Sequence, residues 1–282
     1  MNGFKYLISQ LWKSSSGRIG LILVALFSLL ALGAPMLSPY DPLRQNLLIK
    51  SSPPSISHFF GTDLFGRDVL SRLLYGARVS MGIGLGSAFI AVFLGSAVGL
   101  SAGFLRGRID TLLMRIVDLL LGFPKFFILL LVVGLGSPSI WLTATVLGAL
   151  SWMEIARVVR GEVVLIRGMN YVKAATALGL SPINIVMRYV LPNVSGSIIV
   201  SATLLIGTMI LVEASLSYLG FGVQPPDASW GTIMNQGRID PLGTWWISVS
   251  AGLAIILSLI GFNLLGDSLR DVLDPRSKNA KS

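Results

Sequence analysis

Residues 19–37 form a run of nineteen residues without a charge. A helix of that length crosses the roughly 30 Å of hydrocarbon in a bilayer. Further apolar runs occupy 79–105, 109–136, 139–156, 194–222 and 246–265. Together they predict an all-α integral membrane protein with six transmembrane helices. The basic lead before residue 19, with Lys5, Lys13 and Arg18, also fits a secretory leader, and Ala31-Leu32-Gly33 has the small-residue character of a cleavage site. Five further runs need no removed leader, so 19–37 is read as a retained span.

Composition agrees. Apolar residues make up 53% of the 282 and charged ones 12%, with a mean hydropathy of +0.77; a soluble domain carries about 25% charged residues. Cysteine is absent, which excludes disulfides, cysteine zinc sites and thiol nucleophiles. The net charge of +9 is compatible with nucleic acid, but its distribution points to a membrane. With both termini inside, fourteen of the 22 basic residues fall on the inner side and six outside (Arg44, Lys50, Arg67, Arg72, Arg78, Arg238). That asymmetry predicts an N-in, C-in topology and no nucleic-acid partner.

Several polar residues interrupt the runs. Asp110, Arg115, Asp118 and Lys125 fall in 109–136, where Arg115 and Asp118 are three apart and expected to pair on one helical face; Pro124 should kink that helix. Charges inside spans usually face the bundle interior. Asp118, Glu213 and Asn263 are the polar candidates for a pore. Gly95, Gly99 and Gly103 recur every fourth residue and leave one helix face bare for close approach. Outside the spans, 38–78 contains four prolines and the pair of turns Gly61-Thr62-Asp63 and Gly66-Arg67-Asp68, read as structural. The lone His58 is read as a surface or capping residue rather than a metal ligand. Residues 224–244 form an external loop followed by Trp245-Trp246, an interfacial anchor.

One stretch is unlike the rest. Residues 157–193 carry five basic residues (Arg157, Arg160, Arg167, Lys173, Arg188) and one acid, Glu162. Ala174, Ala175 and Ala177 favour a helix, Gly179 fits its C-cap, and Pro182 opens a second helix. In that second helix Ile183, Val186, Tyr189 and Val190 form an apolar stripe, and Leu191-Pro192 is expected to end it. A helix pair between two spans has the character of a docking knob.

Ala174, Ala175, Gly179, Leu191 and Pro192 resemble the loop signature of permease subunits of ATP-binding-cassette importers. Lys173 stands where that family usually has glutamate, and Tyr189 where histidine or isoleucine is frequent. Residues 58–72, EASLSYLGFGVQPPDASWG at 213–231, FNLLGD at 262–267 and LRDVLDPR at 269–276 resemble the dipeptide/oligopeptide/nickel branch, in its second, C-type, subunit. Ala251 stands where a proline is common.

The resemblance implies a type I importer-like transmembrane domain divided into an N-terminal segment, 1–78, and a permease core, 79–282. It implies that Lys173, Ala174, Ala175, Gly179, Leu191 and Pro192 couple to the ATPase. The expected partners are a homologous second permease, two ABC ATPase subunits and an extracytoplasmic substrate-binding protein, in the inner (plasma) membrane of a bacterium or archaeon. ATP and magnesium then belong to the ATPase subunits, and this chain, lacking a Gly-x-x-x-x-Gly-Lys-Ser/Thr loop, carries no cofactor or catalytic site. Two other classes fit the sequence less well. An intramembrane hydrolase needs a Ser/His, paired-Asp or metal arrangement inside the spans, and the single histidine lies in a loop. A self-contained ion-coupled carrier or channel predicts inverted repeats with broken helices and leaves 157–193 unexplained.

Overall fold

The computed structural model describes residues 3–136 and 139–273. Arg276, Lys278 and Lys281 of the basic tail lie outside them. A short amphipathic helix, α1 (Gly3–Lys13), leads into α2 (Ser15–Leu37), which starts where the Ser14 hydroxyl accepts a hydrogen bond from the Gly17 amide at 3.0 Å. An irregular segment then leads to α3 (Val69–Leu105), capped by Asp68, whose Oδ2 accepts from the Ser71 amide at 2.8 Å. The second span thus begins ten residues before the expected 79. The first turns of α3 look polar in sequence because they carry Ser71, Arg72 and Arg78, yet Ser71 and Arg72 are buried.

The third apolar run is two helices, α4 (Gly107–Leu121) and α5 (Lys125–Leu135), bent by 76° at Gly122-Phe123-Pro124. Pro124 has no amide hydrogen to continue the ladder, so the expected kink becomes a full break. The fourth run, α6 (Ile140–Ala149) and α7 (Trp152–Arg167), reaches eleven residues past the expected end at 156. Arg157, Arg160 and Arg167 therefore stand on a spanning helix rather than in a loop. Then come α8 (Asn170–Ala177), α9 (Pro182–Ile185), a π-helical turn at Val186–Val190, and α10 (Leu191–Tyr218). Leu191-Pro192 was expected to stop this helix, and it does not. The π turn passes the Leu191 amide to the Val186 carbonyl, five residues back, and the helix absorbs Pro192 in its first turn. A short α11 (Trp230–Gly237), closed by a Ser229/Thr232 capping box, precedes α12 (Trp245–Leu273).

Among the described residues five helices are long and apolar enough to cross a membrane, and six when the bent α4–α5 pair is one crossing. The centre is the pairing of α3 with α7. A Cβ at Gly95 would lie 2.6 Å from the Ile155 Cβ; at Gly99, 2.8 Å from that of Val159; at Gly103, 2.7 Å from that of Val163. All three separations are shorter than real Cβ contacts, so the bare face predicted from the glycine repeat is the seat of α7.

Two apolar cores flank this contact. One joins α3, α5, α6 and α7 to α8, α9 and α10 through Val159, Val163, Val172, Ile185 and Val190. The other joins α2, α3, α11 and α12 through Phe27, Leu73, Trp230, Ile233 and Trp246. Trp245 is exposed, as an interfacial residue should be, but Trp246 is buried and donates its indole N–H to the Thr62 carbonyl at 3.2 Å. Of the expected aromatic pair, one member is core.

Candidate functional site

The knob is built by three local devices. Helix α8 ends in a Schellman motif: the Leu180 amide donates to the Ala175 carbonyl at 3.2 Å and the Gly179 amide to that of Thr176 at 3.0 Å. Gly179 has φ +77°, a region costly for residues with a Cβ, and nothing lies within 4 Å of where that Cβ would be. Glycine is needed here for the turn, not for packing. Ser181 is extended, as a residue before proline prefers, and Pro182 begins α9.

The knob is two-faced. Val172, Ala175, Ile185 and Val190 are buried and continue the core of α7 and α10 downward. Met169, Tyr171, Leu178, Ile183 and Met187 are exposed, Leu178 at 81%. The expected stripe of Ile183, Val186, Tyr189 and Val190 is thus displaced, because Ile183 points out and Ile185 takes the inner position. The π turn causes this by shifting the helical phase between 185 and 191. Of the predicted coupling residues, Lys173, Ala174, Gly179 and Pro192 are exposed, Leu191 is half-buried, and Ala175 faces the core. The signal in the sequence for the open apolar face was the excess of large apolar residues over those a small helix pair can bury.

The opposite end of the molecule is held by polar groups. Asp63 Oδ1 accepts from the amides of Phe65 (2.8 Å) and Arg67 (3.0 Å), and its Oδ2 pairs with Arg67 Nε at 2.7 Å and lies 3.5 Å from Arg72 Nε. His58 Nδ1 meets Asp68 Oδ1 at 2.9 Å, which makes the lone histidine a partner of the α3 cap. The two Gly-x-Asp turns are the frame of this knot. Among the described residues no group of three or more His, Asp or Glu side chains is placed to hold a metal ion.

Glu213 is fully buried on α10. Its Oε1 accepts from the Ser217 hydroxyl at 2.7 Å and its Oε2 from the Ser80 hydroxyl of α3 at 2.9 Å. Each serine passes the connection on: Ser80 Oγ accepts from the Trp230 amide at 3.1 Å, and Ser217 Oγ from the Val223 amide at 3.0 Å. One carboxylate thereby ties α3, α10 and the segment leading into α11.

Asp118 does not pair with Arg115 along its own helix. It pairs with Arg157 of α7 at 2.5 Å, while Asp110 holds Arg160 through two bonds of 2.8 and 2.7 Å and Lys125 meets Glu154 at 3.1 Å. Opposite charges on an antiparallel neighbour outcompete the i, i+3 partner because guanidinium and carboxylate meet head-on across the helix gap. Sequence reasoning sees only near neighbours, and these partners are 29 to 50 residues apart. Asn263 is half-buried on α12. No hydrogen bond or ion pair joins Asp118, Glu213 and Asn263 to one another among the described residues, so they do not form one centre.

Residues 91–279 match the model of the binding-protein-dependent transport system inner membrane component family, and residues 4–54 that of the N-terminal TM domain of oligopeptide transport permease C. The oligopeptide transport system permease protein OppC of Bacillus subtilis is 40% identical, covering 95% of this chain and 90% of its own. The dipeptide transport system permease protein DppC of the same organism is 39% identical over 95% and 84% of the two chains. The di/tripeptide transport system permease protein DppC of Pseudomonas aeruginosa is 38% identical over 97% and 93%. Among solved structures, an inward-facing form of the MetNI methionine ABC transporter superposes with a TM-score of 0.59 over 72% of this chain and 96% of that one, at 17% identity. That likeness is one of fold.

Proposed function

The chain belongs to the family of binding-protein-dependent transport system inner membrane components, and on that premise we propose that it is one of two permease subunits of an ATP-driven importer for dipeptides or oligopeptides. The relatives' names support the cargo class, and nickel chelates or glutathione are the neighbouring solutes within the branch it resembles. The chain supplies half of the pore. A homologous, non-identical permease supplies the other half, two ATPase subunits bind ATP and magnesium, and a binding protein delivers cargo from outside. The setting is the inner (plasma) membrane of a bacterium or archaeon.

The observation that carries this reading is the two-faced knob. Its inner face is continuous with the core of two spans, and its outer face leaves Tyr171, Leu178, Ile183 and Met187 exposed among the described residues. An apolar patch of that kind marks a binding surface. An ATPase cleft that closes on ATP moves α8–α9, and the continuous helices α7 and α10 carry the motion into the bilayer. Lys173, Ala174, Ala175, Gly179, Leu191 and Pro192 are assigned to this joint.

The test is a tagged chain isolated from membranes and scored for a co-purifying ATPase, with Gly179→Trp beside it. Gly179 sits at φ +77°, so Gly179→Trp strains the turn that shapes the knob while its Cβ meets no described atom within 4 Å. The wild type should retain the ATPase and Gly179→Trp should lose it. A well-folded wild type that retains none would overturn the reading.

A further inference from the structure

The three ion pairs between α4–α5 and α7 form a ladder, and its exposure runs the wrong way for a lipid-facing surface. Counting about 1.5 Å per residue back from the end of α7 at Arg167, Arg160, Arg157 and Glu154 stand roughly 10, 15 and 20 Å up the helix. Charges facing lipid are expected to snorkel toward the headgroups. Here the lowest pair, Asp110–Arg160, is the most covered, at 14% and 39%. The next, Asp118–Arg157, is 53% exposed on both sides, and the highest, Lys125–Glu154, is 34% and 56% exposed. On α7 the open stripe continues through Val158, Gly161 and Leu165.

Hydrocarbon cannot cover these four upper charges without a large penalty. A protein partner alone would bury them in an interface core, where charged residues are depleted. Water covers them at no such cost. Exposed pairs of this kind are also individually weak, so either partner is free to exchange for another ion.

We infer that the ladder face is the wet wall of the translocation pathway, and that Lys125–Glu154 and Asp118–Arg157 open to bind the charged ends of a zwitterionic peptide. The acids Glu154 and Asp118 receive the ammonium terminus, and Lys125 and Arg157 receive the carboxylate. The wall recognises what every unblocked peptide has and ignores its side chains, while the order of sites gives the solute successive partners. The inference rests on the permease reading and assigns the chemistry of its passage.

This chain has no cysteine, so label read on it reports only an introduced one. Gly161 lies on the stripe, and a Cβ there meets nothing within 4 Å, so Gly161→Cys is a reporter that leaves the pairs intact. The complete transporter is reconstituted without nucleotide, and a charged, membrane-impermeant thiol reagent is applied from the ATPase side. The cysteine should label, and saturating Ala-Ala should slow labelling roughly threefold, as expected when a weak pair exchanges for a ligand. N-acetyl-Ala-Ala-amide, equal in shape but uncharged, should not slow it. Adding Lys125→Gln with Glu154→Gln should abolish the protection while labelling persists, a result that misfolding does not produce. A cysteine that never labels means that lipid or the second permease covers the face, and the inference falls. It falls equally if both peptides protect alike, or if neither does. A wild-type complex that drives no ATP-dependent import of Ala-Ala, while its Gly161→Cys form labels as expected, sinks the permease reading instead.

Discussion

The two ends of the molecule are stabilised in opposite ways. At the α11 end, Asp63, Arg67, Asp68, His58, Thr62 and Trp246 are joined by ion pairs and hydrogen bonds, most of them buried, and Glu213 closes a second polar centre a short way below. At the α8–α9 end the inner face is apolar, the turns rest on backbone capping, and large apolar side chains remain open. A buried polar network is largely self-contained: apart from Arg72 Nε, which has no hydrogen bond, its groups are partnered, and any rearrangement costs unpaired charge. An open apolar face is the reverse, gaining only when something covers it. The first end is suited to holding its shape, the second to being held.

The largest effect should come from Asp63→Ala, which leaves Arg67 without its buried partner. Breaking such a pair costs about 3–5 kcal/mol, to be read as a clear drop in the melting midpoint of the detergent-solubilised chain. An unchanged midpoint would mean that the polar end is not what holds α3 to the 46–68 segment. A smaller loss is expected from Ser229→Ala, which removes the hydroxyl that caps α11. Loss of an N-cap costs about 1 kcal/mol, and the effect should appear as faster hydrogen exchange in 230–237 with little change elsewhere. Uniform exchange across the chain would show that α11 does not move independently. The smallest change in the isolated chain should be that of Ile183→Ser, within about 0.5 kcal/mol of wild type because the side chain is exposed. Retention of the ATPase should nonetheless fall severalfold in co-purification. If Ile183→Ser destabilised the chain as Asp63→Ala does, the contrast between the ends would collapse.

Much of this architecture was legible in the sequence, for reasons that can be named. The spans announce themselves because hydrocarbon tolerates so little else. Gly95, Gly99 and Gly103 read as a contact face because spacing alone puts them on one side of a helix, and Gly179 read as a cap because few other residues accept its backbone angle. Local periodicity has no access to partners brought together by folding. It offered Arg115 to Asp118 and had no means of proposing Arg157. It treated residues 69–78 as loop because Arg72 and Arg78 are charged, although burial of Arg72 beside Asp63 lets the helix begin there. It stopped a helix at Leu191-Pro192, since a π turn leaves no mark in composition. The site was legible as a stretch, but which of its faces is open was not.

Helix α3 has a mechanical consequence. Its 37 residues span about 55 Å, whereas a bilayer with its headgroups is about 40–45 Å thick. Even with a moderate tilt, its first turns stand clear of the membrane as a rigid post, footed in the Asp63 knot. Far below, its last three turns are locked to α7 by the glycine seam. A load applied to the top of the post has no soft joint through which to dissipate before it reaches α7, and α7 leads, two residues on, into α8. One unbroken helix and the α3–α7 seam thus join the two surfaces of the membrane.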